Sequence, residues 1–349
     1  MEHLEMENKH YKTIIVGAGP AGATCGYVLA KNNEECLIIE KNQFPRQKLC
    51  GGGLTGKAFT LLEEIYGKLD YNYCPVHRMD IHWKGEEVCK IPLRDGIRTV
   101  VRKDFDHLLL NKYLEVGGKL LYDKAMSIAE RDGKVFVSLR SGEELSCDTL
   151  VGADSANSII RRYLEPRYHK GIVCLEKQTA DGGDGNIKVL FDNKIKGGYF
   201  YSFPNPKGSV VGCGYIGTKK EMFEKYLKVY KIEDDNKING AYIPMKAKFR
   251  YPFKKNILLI GDAGGYADAM TGEGLYHAFR TGSNAASSIM TGVDFRQHNM
   301  KMIKKVKRSK LMARTFYFYP IHKLFLRMCR SPRLLVKISH TIDRYLMHR

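Results

Sequence analysis

The reading of the fold turns on Thr13–Glu40, TIIVGAGPAGATCGYVLAKNNEECLIIE. Thr13–Val16 is a short β-branched run that stops at glycine, the pattern of a buried strand. Pro20 to Lys31 reads as a helix and Cys36–Glu40 as a second strand. A β-α-β unit of this kind forces a parallel sheet with a right-handed crossover. Between strand and helix lies Gly17-x-Gly19-x-x-Gly22, with Pro20 and Ala21 inside it. Three jobs need glycine there: a tight turn, an approach of bare backbone to a pyrophosphate, and close helix–strand packing. The helix N-terminus adds unpaired N–H groups and partial positive charge for phosphates. Glu40 ends the second strand, 18 residues beyond Gly22, where a carboxylate can bond ribose hydroxyls.

Working outward, Asn42 to Gly56 is a loop rich in glycine and basic residues. A helix is expected from Asp104, as N-cap, to Val116. Lys134–Arg140, KVFVSLR, is flanked by Asp132-Gly133 and Ser141-Gly142, which predicts an antiparallel meander. Asp148–Asp154 reads as another buried strand, followed by a helix to about Leu164. Cys174 to Ile216 alternates and is rich in Tyr and Phe, as a second sheet would be. Lys255–Gly261 is again strand-like, with a long helix from about Thr271 to Met290. Beyond Arg296 two amphipathic helices are expected, one carrying Ile321, Leu324, Phe325 and Met328 on a stripe, the other Leu334, Leu335, Ile338, Ile342 and Leu346.

The chain has 349 residues, 44% hydrophobic and 27% charged. Those are ordinary globular values that allow about two domains and argue against disorder or a disulfide mini-protein. Nine scattered cysteines with no CxxC pair argue against zinc and against a secreted disulfide framework. No metal site is expected, and His77, His82, His107 and His277 show no ligand spacing. The first ten residues carry three glutamates, the wrong sign for a signal peptide. Thr13 to Ala30 lacks charge, but its glycines argue against a membrane span. The net charge of +19 is lopsided: residues 296–349 hold 15 Lys/Arg against the single acid Asp343. That distribution argues against a general nucleic-acid surface, and no stacking motif interleaves with the charges in the way single-strand binders show. It leaves two uses for the tail: helices packed on the body with solvated basic faces, or contact with an anionic membrane surface. The expectation is a cytoplasmic chain able to sit peripherally at the inner face of a membrane.

With Gly26 the glycine run becomes GxGxxGxxxG, a spacing that resembles the FAD form of the dinucleotide fingerprint. Val151–Arg162, VGADSANSIIRR, resembles the second motif of the flavoprotein hydroxylase superfamily, with Asp154 in place and Ser155 where glycine is usual. Ile257–Gly282, ILLIGDAGGYADAMTGEGLYHAFRTG, resembles the third motif, in which the aspartate after Gly261 bonds the ribitol chain, here Asp262. Gly272, Glu273 and Gly274 open the long helix, whose N–H groups can face the flavin's pyrimidine edge.

Three segments narrow the resemblance to the geranylgeranyl reductase family. Lys48–Thr55, KLCGGGLT, is similar to its Pro-Cys-Gly-Gly-Gly-Leu segment, with Leu49 for the proline. Gly272-Glu273-Gly274 precedes an aliphatic residue. Tyr199–Gly214, YFYSFPNPKGSVVGCG, matches Tyr-x-Trp-x-Phe-Pro followed by Gly-x-Gly through Tyr199, Tyr201, Phe203, Pro204, Gly212 and Gly214. Tyr201 replaces the tryptophan, and Ala269 stands where proline is usual.

The resemblance implies an α/β fold: a Rossmann-like FAD-binding domain of parallel sheet plus β-meander, an inserted antiparallel-sheet substrate domain, and C-terminal helices. The expected FAD-binding parts are 1–75, 98–168 and 250–295, the substrate sheet 76–97 and 169–249, and the basic tail 296–349. It implies FAD-dependent reduction of C=C bonds in a polyprenyl lipid, with hydride from flavin N5 and a proton on the other carbon. The electron donor would be NAD(P)H or reduced ferredoxin. Cys50 and Tyr201 are the catalytic candidates, Cys50 as proton donor or as a shape element beside the isoalloxazine. Lys41, Gly51, Gly261 and Asp154 join the cofactor set. Arg46 and Lys48 either pair with phosphates or stay solvated, and Arg102 either spans to the cofactor or forms a structural salt bridge. Tyr199, Tyr201, Phe203, Pro204, Gly212 and Gly214 form either a substrate wall or ordinary sheet core. The alternatives are a flavin monooxygenase of the same superfamily and a membrane-associated FAD-binding protein without catalysis.

Overall fold

The computed structural model describes residues 9–167, 171–230, 232, 236–244 and 253–347. The acidic residues 1–8, the domain edges expected at 168–169 and 249–250, and Arg349 lie outside the described residues. The amino-terminal part runs β1 (His10–Val16), α1 (Pro20–Lys31), β2 (Cys36–Glu40), β3 (Gly53–Leu54), α2 (Gly56–Tyr66), β4 (Cys74–Trp83), β5 (Glu86–Thr99) and α3 (Arg102–Glu115). The middle continues with β6 (Lys119–Tyr122), β7 (Ala125–Arg131), β8 (Lys134–Leu139), β9 (Glu144–Gly152), α4 (Ile159–Leu164), β10 (Ile172–Thr179), β11 (Ile187–Phe191), β12 (Tyr199–Asn205) and β13 (Gly208–Gly214). Then come α5 (Lys220–Val229), β14 (Asn239–Ile243), β15 (Phe253–Lys254), β16 (Ile257–Leu259), α6 (Leu275–Thr291), α7 (Phe295–Phe316), α8 (Tyr319–Cys329) and α9 (Pro332–Met347).

The first sheet is the parallel one the opening motif demands. β1 lies between β2 and β9, with β6 and β16 outside them, all parallel, and β7–β8–β9 form the antiparallel meander. Strand alternation divides its apolar residues between two cores. Ile15 and Ile38 face the layer of α1, α3 and α6, whereas Ile14, Val16, Leu37 and Ile39 face the meander. Burial on both faces is why β1 and β2 read as continuous apolar runs. The second sheet has the order β14-β10-β13-β12-β11-β4-β5-β3 and is antiparallel except at β11–β4. One face of β12 and β13 packs Phe200, Val211 and Cys213 on Phe223, Tyr226 and Leu227 of α5. α8 and α9 cover the β4–β5 end of this sheet through Leu326, Cys329, Ile338 and Leu346.

Three local expectations are corrected. The helix expected from Asp104 begins at Arg102 with Val101 as N-cap, and Asp104 lies in its first turn, 2.7 Å from Lys207 Nζ. Thr271–Gly274 is a turn leading into α6 and not its first turn, because Gly272 holds φ +72° and the helix starts at Leu275. The tail forms three helices among the described residues, broken at Tyr317–Phe318 and at Arg330–Ser331.

Candidate active site

The turn between β1 and α1 is wedged against its neighbours. Gly17 holds φ +106°, and a Cβ there would lie 2.5 Å from the Ala153 carbonyl oxygen. A Cβ on Gly22 would lie 1.9 Å from the Gly17 oxygen. Both positions therefore exclude side chains, which is what lets helix and strand meet. Gly19 differs: a Cβ there meets only Arg46 Nη2, at 3.4 Å. The space in front of it is open, and no side chain caps the N-terminus of α1 behind it. Glu40 accepts hydrogen bonds from the Ala18 N–H at 2.8 Å and the Asn42 N–H at 3.0 Å.

Across this turn, Asp154 accepts from the Ile159 N–H through Oδ2 at 2.8 Å, while its buried Oδ1 has no partner. Burial pushes its pKa up. Ser155 takes φ +68°, the left-handed conformation for which glycine is the ordinary choice. Its hydroxyl accepts from Lys48 Nζ at 3.1 Å. Asp262 follows β16 in the tight turn Gly261–Gly264.

These groups line one end of a cavity of about 820 Å³, within the range of about 300–1,000 Å³ usual for ligand pockets. Every cofactor candidate lines it except Gly22, which stands behind the turn. The far end is apolar: Ile97, Ile187, Val189 and Phe191 from the second sheet meet Phe316, Phe325, Ile342 and Leu346 from the tail helices. Between the two ends sits the turn Asp268–Gly274, tied down from several elements. Tyr199 donates to the Thr271 carbonyl, Tyr317 to the Met270 carbonyl at 3.2 Å, and Tyr345 to Asp268 at 2.6 Å. The Ala269 N–H donates to Ser309 Oγ at 2.8 Å, a bond that proline at this position could not make. Glu273 pairs with Lys57 at 2.7 Å and accepts from Thr55. Lys57 also donates to the Tyr345 carbonyl at 2.9 Å.

The Cys50 loop crosses between the sheets. A Cβ on Gly51 would lie 3.0 Å from the Phe203 ring, and one on Gly52 2.1 Å from the Val100 oxygen, so the loop is pressed between β12 and the start of α3. Arg102 lies against the Cys50 thiol and binds buried Asp106 through two N–H groups, at 2.7 and 2.9 Å. Arg46 reaches the same carboxylate at 3.6 Å. Breaking such a buried pair typically costs about 3–5 kcal/mol, so Arg102 is fixed in place while still facing the cavity.

On β12, alternation turns Tyr199, Tyr201 and Phe203 to the cavity. Pro204 points to the opposite face and does not line the cavity, so of the two readings for this segment it takes the sheet-core one and not the substrate wall. Gly212 does not line it either: it lies beneath Tyr201, where a Cβ would sit 2.4 Å from the phenol oxygen. Tyr201 and Glu176 are both register partners of Gly212, on opposite sides of β13. The bare strand lets the Tyr201 ring lie across it, donate to the Glu176 carboxylate and approach Cys174 Sγ at 3.2 Å. Gly214, the partner of both Tyr199 and Cys174, does line the cavity.

The sequence reading missed Glu176, although its place two residues from Cys174 on an alternating strand was a signal for a shared face. It also missed the tail's contribution to the cavity wall. Of the stripe expected on α8, Phe325 faces inward while Ile321 and Leu324 are exposed.

The residues fit a flavin dinucleotide on three counts: an open backbone cradle at Gly19, an orphaned acceptor at Asp154, and an adjoining turn fixed at Gly272–Gly274. A family profile described as an FAD binding domain matches residues 10–237. The chain is 26% identical over 317 residues to the menaquinone reductase of Mycobacterium tuberculosis, covering 78% of this chain and 75% of that protein. It is 26% identical over 329 residues to the digeranylgeranylglycerophospholipid reductase of Methanocaldococcus jannaschii, covering 86% and 82%. Among solved structures, a geranylgeranyl bacteriochlorophyll reductase-like protein from Thermoplasma acidophilum superposes with a TM-score of 0.76 at 19% identity, over 94% of this chain and 95% of that one. A halogenase in complex with FAD gives 0.71 at 17% identity, over 96% and 83%. These structural likenesses establish the fold.

Proposed function

We propose that this chain, which belongs to the FAD binding domain family and is an FAD-dependent oxidoreductase, reduces carbon–carbon double bonds in a polyprenyl lipid. The observation that carries the reading is the two-ended cavity, a polar dinucleotide cradle opening directly onto an arm of aliphatic and aromatic side chains. The names of two relatives, a menaquinone reductase and a digeranylgeranylglycerophospholipid reductase, support it. On this reading residues 1–75, 98–168 and 250–295 hold the cofactor and 76–97 with 169–249 face the substrate. Reduced FAD, when bound, supplies a hydride to one alkene carbon. The Gly17–Gly22 turn and the α1 N-terminus would hold its phosphates, Glu40 its ribose, Asp262 its ribitol chain, and Gly272–Gly274 would border its ring. Phe191, Phe316, Phe325 and Ile342 would align the chain and exclude water, with the Cys50 loop closing the space beside the ring.

The same tail helices present an apolar outer corner. Leu311, Phe318, Tyr319 and Leu324 are all more than half exposed, among exposed Arg308, Arg314, Lys323 and Arg327. No helix among the described residues is long and apolar enough to cross a membrane. An apolar corner with a basic collar suits peripheral contact with anionic lipid, next to the helices that wall the substrate arm.

The test is anaerobic. The purified protein should be yellow, and after chemical reduction its flavin should be reoxidised by a polyprenyl lipid, with saturated product found by mass spectrometry. NAD(P)H and reduced ferredoxin are then compared as donors. A reduced protein inert to every prenyl chain overturns the reading, as does oxygen consumption coupled to hydroxylation of the substrate.

A further inference from the structure

Reduction of an isolated alkene needs a proton as well as a hydride, and the apolar arm holds few groups able to keep one. Glu176 is such a group. It is 4% exposed, lines the cavity, and stands on the same face of β10 as Cys174. Its carboxyl accepts from the Tyr201 hydroxyl and lies beside the Cys50 backbone, so it joins the second sheet to the loop expected beside the flavin. The charged and titratable groups that face it are Lys48 and Cys50 from the loop, Arg102 from α3, Tyr201 from β12 and Cys174 on β10, with Cys213 behind it on the sheet's other face. Bare Gly212 makes the Tyr201–Glu176 contact possible, since a single methyl there would collide with the phenol.

Resting on the reading above, we infer that Glu176 is the proton reserve of this cavity, serving the alkene through the Tyr201 hydroxyl. The balance is simple. The hydride brings two electrons and forms one C–H bond. The π pair takes the Tyr201 proton and forms the second, so the C=C bond becomes single. In the neutral acid the bond is reversed: the Glu176 O–H donates to the Tyr201 oxygen and frees the phenol O–H for the alkene. The Glu176 proton then passes to that oxygen, leaving a carboxylate that solvent reprotonates between turnovers. The role requires a carboxyl that is neutral near neutral pH. Burial raises the Glu176 pKa to about 7, against the opposing pull of Tyr201, Lys48 and Arg102. Glu176 is then a positioning residue for Tyr201's proton, and Tyr201 is the group that meets substrate.

Two readouts test this on the full FAD-loaded protein. Infrared spectra taken across the pH range should show a protonated-carboxyl band that fades as pH rises through about 7 and is absent from Glu176→Gln. Substrate-driven reoxidation of reduced flavin should fall on the order of 100-fold in Glu176→Gln, the lower range for loss of a general acid. KM should stay close to wild type, the flavin spectrum should not change, and Glu176→Asp should recover part of the rate. Tyr201→Phe, which keeps the ring, should show the same slow reoxidation and a displaced carboxyl band. Wild-type rates in both variants, or a rate in Glu176→Gln that keeps the wild-type pH profile, overturn the inference. A wild-type protein inert to prenyl chains overturns the proposed function instead, and the carboxyl band distinguishes that failure from this one.

Discussion

The cradle end of the cavity is built from backbone, and the apolar end is built from side chains. At the cradle, Gly17 and Gly22 admit no Cβ, Gly19 leaves space, and the polar contacts run largely through main-chain N–H groups. At the other end, Tyr201, Glu176 and the tail's aromatic residues set the surface, and the main chain serves only to bring strands into register. The difference teaches where substitution is tolerated. A backbone site fails when a side chain is added, whereas a side-chain site fails when a particular group is removed.

The largest expected effect breaks the cradle while sparing the fold. Gly19→Leu extends into the open space, and its Cβ meets only the tip of Arg46, so thermal unfolding of the flavin-free protein should barely move. FAD affinity should fall roughly a thousandfold, about 4 kcal/mol, read by flavin fluorescence titration. Near-normal binding would show that the dinucleotide does not pass in front of Gly19.

The second effect sits at the apolar end and follows from Glu176. Below its ordinary pKa of about 4.5 the carboxyl keeps its proton whether the chain is folded or not. From there to about 7 the unfolded chain has lost the proton that the folded one still holds. The folded state then binds more protons, so stability falls as pH rises, by about 1.4 kcal/mol per unit. Relative to Glu176→Gln, the wild type should lose about 3 kcal/mol between pH 4 and pH 8, measured by urea unfolding of both. A constant gap would mean that Glu176 is already ionised in the acid range.

The smallest effect separates the inner and outer faces of the tail. Phe318→Asp with Leu324→Asp removes apolar surface that touches no core, so folding and flavin content should hold. Sedimentation with anionic vesicles should weaken about tenfold, near 1.4 kcal/mol, and wild-type binding should drop with added salt. Binding unchanged by the pair would remove the membrane from the account.

The same contrast explains what was legible beforehand. The cradle could be read because positive φ and close approach each admit one residue type, so Gly17 and Gly22 announce their geometry. Ser155 shows the limit, since it keeps glycine's conformation without being glycine. Alternation in CLEKQT could have put Glu176 on one face with Cys174, but only register sets it across Gly212 from Tyr201. Pro204 belongs to the motif that suggests either a wall or sheet core, and motif membership does not say which way a strand residue points. The tail could be read as amphipathic helices, yet which apolar residues turn inward depends on the partner sheet, and Phe325 and Leu324 are adjacent with opposite fates.

Lys57, buried beneath the turn that carries Glu273, spends one of its protons on the carbonyl of Tyr345, and Tyr345 spends its hydroxyl on Asp268. Deleting the last helix would leave the buried ammonium with Glu273 but without its carbonyl partner, and would slacken the segment that borders the ring. The carboxy-terminal helices are therefore no detachable anchor, and a shortened protein that lost both vesicle binding and colour would be reporting one injury twice.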